Sequence, residues 1–230
     1  MLRCLSNETT YSQVFSNGGD HNDFVCFDNN GTMYANAHNA HHVRQYSAGA
    51  ASGTIIAGTG SSVTGTLNKP IGTAIDDFFN LYIAEKDDNE ISMLASGSSN
   101  LVSVINTNGV VSSLSALLLP HGTANEIYMS DAGGTAVFLW TFGAAAPSAN
   151  YTNVIDGTTL DKPRGIKLDP YGNLYVADQD NDRIVVFCAN STTGLVLLDS
   201  PGKPIDLAFD SNMNLHVLLD NGTLFKHALM

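Results

Sequence analysis

Apolar residues in this chain come in short runs of four or five, and the polar residues between them are turn formers. The segment 165–187, GIKLDPYGNLYVADQDNDRIVVF, shows the pattern most plainly. Ile166 and Leu168 alternate with polar neighbours, and Asp169-Pro170-Tyr171-Gly172 then makes a turn. Leu174-Tyr175-Val176-Ala177 follows, then a polar loop at 178–182, then an apolar run at 184–187. Runs of this length, rich in Val, Ile, Leu, Tyr and Phe and bounded by Asp, Asn, Gly and Pro, predict β-strands. None is long enough for an ordinary helix. The segment therefore predicts a meander of three antiparallel strands, a sheet that cannot bury both its faces alone.

The unit recurs. Taking Tyr175 as a marker in the second strand, its counterparts are Tyr34, Tyr82, Tyr128 and His216, at successive intervals of 48, 46, 47 and 41 residues. Asp28, Asp76, Asp169 and Asp210 each stand six residues before the marker, and Pro70, Pro163 and Pro204 each stand twelve before it. A proline at the opening of a strand removes no ladder hydrogen bond. A period in the forties built from short strands is the signature of a propeller blade. The predicted fold is all-β, a β-propeller of four-stranded antiparallel blades.

The segments KPRGIKLDPYGNLYVADQDNDRIVVF and LNKPIGTAIDDFFNLYIAEKDDNEI resemble NHL repeats, whose blades form β-propellers. The resembling cores lie near 24–46, 67–94, 119–140, 160–187 and 200–227, which predicts five blades in a single domain spanning 1–230. The third core departs from the pattern, because Pro120 precedes Tyr128 by eight residues rather than twelve. Fourth strands are expected at 54–57, 110–114, 154–155 and 195–198, with 112–119 readable either as a fourth strand or as a helical turn stopped by Pro120. The last core reaches only a third strand before the chain stops, while TYSQVF at 10–15 precedes the first core. That run is expected to close a five-bladed ring as the missing fourth strand; part of a six-bladed ring is the alternative.

Composition narrows the partners. The net charge is −12, with six Lys and four Arg scattered along the chain. Gripping nucleic acid needs clustered Lys and Arg to neutralise phosphates. The resemblance implies RNA binding for some NHL relatives, but this chain lacks their basic face, and anionic membrane surfaces are disfavoured for the same reason. Charged residues make up only 14%, low against about a quarter in ordinary globular chains. Ser, Thr, Asn and Gly replace them, a surface that points outside the cell rather than to the cytosol. The start, MLRCLSNETT, has no apolar core of signal-peptide length. Cys4, Cys26 and Cys188 give no paired spacing, hence no disulfide framework and no zinc-finger pattern.

Candidate chemistry falls on the loops after the second strands, at 36–42, 85–89, 131–135 and 178–182. Loops held by a rigid scaffold are where binding residues concentrate. Asn36, His38, Glu85, Asp87, Asp131, Asp178 and Asp180 form the expected ligand-binding rim. Asp178, Asp180 and Asp182 look like the opening of a calcium loop, but Arg183 stands where that loop requires Gly. Side chains that make turns explain them better. His38, His41 and His42 are close enough in sequence to suggest zinc or copper. The resemblance implies histidines from different blades in metal-holding relatives, a pattern this chain does not match residue by residue. No nucleophile elbow or phosphate-binding glycine loop is present. The expectation is a non-catalytic binding or scaffold module offering one rim to a protein or small ligand, without a cofactor. The alternative is a metal-dependent lyase or hydrolase working at the central channel with a divalent metal.

Overall fold

The computed structural model describes residues 24–107, 109–120, 125–142 and 160–229 in full, with the backbone of the strands at 2–4, 11–13 and 151–153. It divides into two compact units, Met1–Asn106 and Thr107–Met230. The first holds a hairpin of β1 (Leu2–Cys4) and β2 (Tyr11–Gln13), then a sheet of β3 (Val25–Phe27), β4 (Met33–Ala37), β5 (His42–Tyr46) and β6 (Thr54–Gly58). A second sheet follows, of β7 (Pro70–Ile75), β8 (Leu81–Glu85), β9 (Glu90–Leu94) and β10 (Leu101–Asn106). The second unit holds three sheets. Their strands are β11 (Leu114–Leu118), β12 (Glu126–Asp131), β13 (Val137–Thr141) and β14 (Tyr151–Asn153); β15 (Pro163–Leu168), β16 (Leu174–Asp178), β17 (Arg183–Phe187) and β18 (Gly194–Asp199); and β19 (Pro204–Phe209), β20 (Leu215–Leu219) and β21 (Leu224–His227). Among the described residues every pairing of these strands is antiparallel and between sequence neighbours. The fold is all-β, with five blades of propeller type.

The coupled Asp and Tyr of the sequence form one hydrogen-bonded device. Asp76 Oδ1 accepts the backbone N–H groups of Phe78 at 2.9 Å and Asn80 at 2.8 Å, closing the turn between the first and second strands. Asp28, Asp169 and Asp210 repeat the arrangement on their own turns. The other carboxylate oxygen accepts the marker phenol, from Tyr34 at 3.3 Å, Tyr82 at 3.3 Å and Tyr175 at 3.4 Å. His216 Nε2 replaces the phenol in the fifth sheet, 3.2 Å from Asp210. Burial together with the adjacent carboxylate pushes the Tyr82 phenol up to about 12. The marker thus locks the turn to the middle of its sheet.

The second strands β4, β8 and β16 are buried along their whole length. That is the mark of a strand covered on both faces. Within the first unit, Tyr34, Val43 and Ala57 pack against Leu81 and Ile83 of the next sheet and Leu67 of the segment that leads into it. Within the second, Tyr175, Ala177 and Ile184 pack against Leu207, Leu215 and Val217. Polar braces also cross between neighbouring sheets. Buried Asn36 donates from Nδ2 to the carbonyls of Pro70 at 2.8 Å and Ile71 at 2.5 Å. Ser130 Oγ donates to the Arg164 carbonyl at 2.7 Å. Each brace joins the second strand of one sheet to the first strand of the next.

Several expectations need correcting. The fourth strand of the second sheet is β10 at 101–106, not 110–114. Residues 114–118 are instead the first strand of the third sheet, ending before Pro120, which cannot donate to a ladder. So 112–119 is neither a fourth strand nor a helical turn. The third sheet takes its fourth strand from 151–153, and Val154 and Ile155 lie outside the described residues. The described part of 10–15 pairs with Leu2–Cys4, and the fifth sheet has three strands among the described residues. A partner only a few residues away costs little loop-closure entropy.

Candidate functional site

Most residues expected on the rim are engaged inside the fold. Glu85, Asp131 and Asp178 are the last residues of their second strands and are 3%, 4% and 0% exposed. Glu85 accepts the N–H of Asn68 at 2.8 Å and the hydroxyl of Ser92 at 2.5 Å; burial, outweighing these bonds, raises its pKa. Asp131 accepts the N–H groups of Ser112 at 3.0 Å and Ser113 at 2.8 Å, so it holds the entry to β11. Asp178 accepts the Asp161 N–H at 2.6 Å and pairs with Arg183 Nε at 2.6 Å. All three tie the end of the second strand to the segment that leads into the first. Asn36 belongs to a buried strand rather than a loop, bracing the next sheet.

The exposed acids follow a second rule. Lys69, Lys162 and Lys203 each precede a strand-opening proline. Asp87 pairs with Lys69 at 2.5 Å, and Asp180 pairs with Lys162 and, at 2.9 Å, with Lys203. Hydrogen bonds from these lysines hold both carboxyls below the usual carboxylate range. Asp182 occupies a left-handed turn position, φ 51°. His41 Nδ1 accepts the Lys69 N–H at 3.2 Å, Arg44 Nε donates to buried His42 at 3.1 Å, and His38 is half-buried. Among the described residues no three His, Cys, Asp or Glu side chains are placed to hold one metal ion, so neither sequence cluster converges.

A cleft of about 560 Å³ opens instead between the first two sheets. Ile56, Leu81 and Leu94 line its apolar part, and Asn30, Gln45, Ser62 and Ser96 its polar part. Gln45 Nε2 donates to the Tyr34 hydroxyl at 3.3 Å, and that phenol donates to Asp28. The wall from the second sheet includes Phe79, 39% exposed at φ 62°. Gly31 and Gly172 occupy the equivalent turn positions of the first and fourth sheets, at φ 77° and 84°. A bulky residue in that backbone region carries strain on the order of 1 kcal/mol. Sequence reasoning passed over this cleft. Its one readable signal was Phe79 standing fourth in Asp76-Asp77-Phe78-Phe79, where Asp28-Asn29-Asn30-Gly31 has glycine.

A second polar cluster lies on the first strands of the second unit. Two residues after the opening proline, the second and fourth sheets have Gly72 and Gly165, while the fifth has Asp206. A Cβ at Gly165 would sit 2.6 Å from both Cα and Oδ1 of Asp206, so glycine is what lets β15 and β19 approach. Among the described residues Asp206 takes one hydrogen bond, from the Leu207 N–H at 2.8 Å, and no direct ion pair. Burial raises its pKa, and the attraction of Lys167 and Arg164 only partly offsets this.

Comparison with known proteins agrees on the fold. No protein-family model and no curated protein sequence matches the chain. Among solved structures it is similar to a protein described as a gluconolactonase, at 16% identity and a TM-score of 0.73, over 96% of this chain and 80% of the other. A streptogramin B lyase aligns at 12% identity and a TM-score of 0.63, over 90% of this chain and 68% of its own. A chain of the nidogen/laminin complex aligns at 18% identity and a TM-score of 0.63, over 78% of this chain and 67% of that one. These neighbours are β-propellers, some named as enzymes and one taken from a protein–protein complex. At such identities the likeness establishes the fold alone. No helix among the described residues is long and apolar enough to cross a membrane.

Proposed function

We propose that this chain is a ligand-binding propeller of NHL-repeat type that takes a small polar molecule in the cleft between its first two sheets. The observation that carries this reading is the cleft itself: a cavity in the size range of small-molecule sites, with polar side chains over an apolar floor. The NHL assignment is supported by the quoted segments and by the Asp–Tyr bonds they encode. The rim is a weaker candidate because its carboxylates already have internal partners.

The catalytic alternative, a hydrolase or lyase acting through first-strand groups, has one observation in its favour. Burial raises the pKa of Asp206, the direction that suits a carboxyl to a general acid's role. One experiment separates the two. The full chain, isotope-labelled for NMR, is titrated with neutral hydroxyl- and amide-bearing fragments. Shifts centred on Gln45, Phe79 and Ser96 are expected. Shifts centred on Arg164, Lys167 and Asp206 would favour the alternative, and shifts confined to Asp87 and Asp180 would restore the rim.

A further inference from the structure

The cleft has a composition that narrows its ligand class. Among the described residues, none that lines it is Lys, Arg or His, and Asp28 is the one acid. That carboxylate is already occupied, Oδ1 by two backbone N–H groups and Oδ2 by the Tyr34 hydroxyl. An anionic ligand would therefore meet no counter-charge, and a cationic one only a carboxylate already holding three donors. What remains available is neutral: the amides of Asn30 and Gln45 and the hydroxyls of Ser62 and Ser96. Beside them stands an aromatic ring at a left-handed turn position that the first and fourth sheets fill with Gly31 and Gly172 and the fifth with Met213, at φ 60°. Phe79 keeps a left-handed backbone that its side chain disfavours, and part of the ring stays open to solvent. A flat apolar face next to several neutral donors and acceptors matches a molecule with one C–H face and an edge of hydroxyls.

We infer that the cleft is a carbohydrate site, in which a neutral pyranose lays its C–H face on Phe79 and turns its hydroxyls to Gln45, Asn30 and Ser96. This rests on the cleft being the binding place, and its test is built so that the two can fail separately. The neighbouring turns fit the same use. Asn29 Nδ2 lies 3.5 Å from Asp77 Oδ1, linking the first-sheet and second-sheet turns beside the cleft. The Ser96 N–H donates to Asn80 at 3.0 Å, which fixes the turn that presents Ser96. The walls are thus set before a ligand arrives, which lowers the ordering cost of binding.

The test uses the full chain and a panel of neutral mono- and disaccharides, read by saturation-transfer NMR and calorimetry, with the fragment library run alongside. A saccharide should bind, and F79G should weaken it about tenfold, the size expected for loss of an aromatic stacking face. Because glycine suits the left-handed position, F79G should melt no lower than the parent; a residue kept only for packing would melt lower when removed. Saccharide binding unchanged in F79G overturns the inference, as does a lowered melting temperature without loss of binding. Fragments shifting the cleft while no saccharide binds refute the ligand class and leave the cleft reading standing. No response from either set refutes both.

Discussion

Asp206 shows how one side chain in a repeated position changes its surroundings. In the second and fourth sheets the same place holds Gly72 and Gly165, which put no charge there. Burial favours the protonated form of Asp206. Its folded pKa therefore lies above its unfolded value, and between the two the native state binds more protons than the unfolded chain. Stability must fall as pH rises through that window. D206N removes the penalty. It is expected to raise the urea midpoint at neutral pH and to leave it nearly unchanged below the ordinary carboxylate range. A variant less stable than the parent at neutral pH would mean that the ionised carboxylate is favoured by Arg164 and Lys167. The sequence displayed Asp206 in a glycine position, but not that Gly165 sits against it. That contact joins residues 41 apart and depends on how two sheets meet.

At the scale of the strand, the closest approach between sheets is the informative feature. The bulge after each opening proline shifts the register between Pro163 and Ile166 and between Pro204 and Asp206. It brings the backbone of Gly165 against that of β19. G165A places a methyl group within 2.6 Å of backbone, so β15 and β19 must separate. The expected loss is about 2 kcal/mol, measured by chemical denaturation. G97A should cost less, since a Cβ there meets nothing within 4 Å and only its φ of 73° is unfavourable. Equal losses in the two variants would mean that the β15–β19 contact is loose. Strand existence was legible wherever Asp, marker and proline kept their spacing, as in β7, β8, β15 and β16. It failed at the third sheet. Pro120 there ends the first strand instead of opening it, so the spacing anchor pointed to the wrong side.

Over the whole molecule, the repeat that made the fold readable also explains why the acids after the second strands stand out in the sequence as a rim. Acidic residues recurring after each second strand look like a presented surface when only the sequence is seen. In three dimensions Glu85, Asp131 and Asp178 reach back to backbone N–H groups before the first strands, while Asp87 and Asp180 meet the lysines that precede the prolines. The Lys-Pro pairs stood in the sequence, but linking them to acids 18 residues on requires the hairpin to be folded first. The cleft was less legible still, because its walls come from loops and strands of two sheets that only folding brings together.

The direct measurement is the urea midpoint of D178A. Asp178 is fully buried, accepts the Asp161 N–H and pairs with Arg183, so its removal should cost about 3 kcal/mol through the loss of these bonds. The midpoint should drop while the slope of the transition stays the same. A D178A midpoint equal to the parent's would show the loop carboxylate to be dispensable to the fold, and would return 178–182 to the role of an open ligand-binding rim.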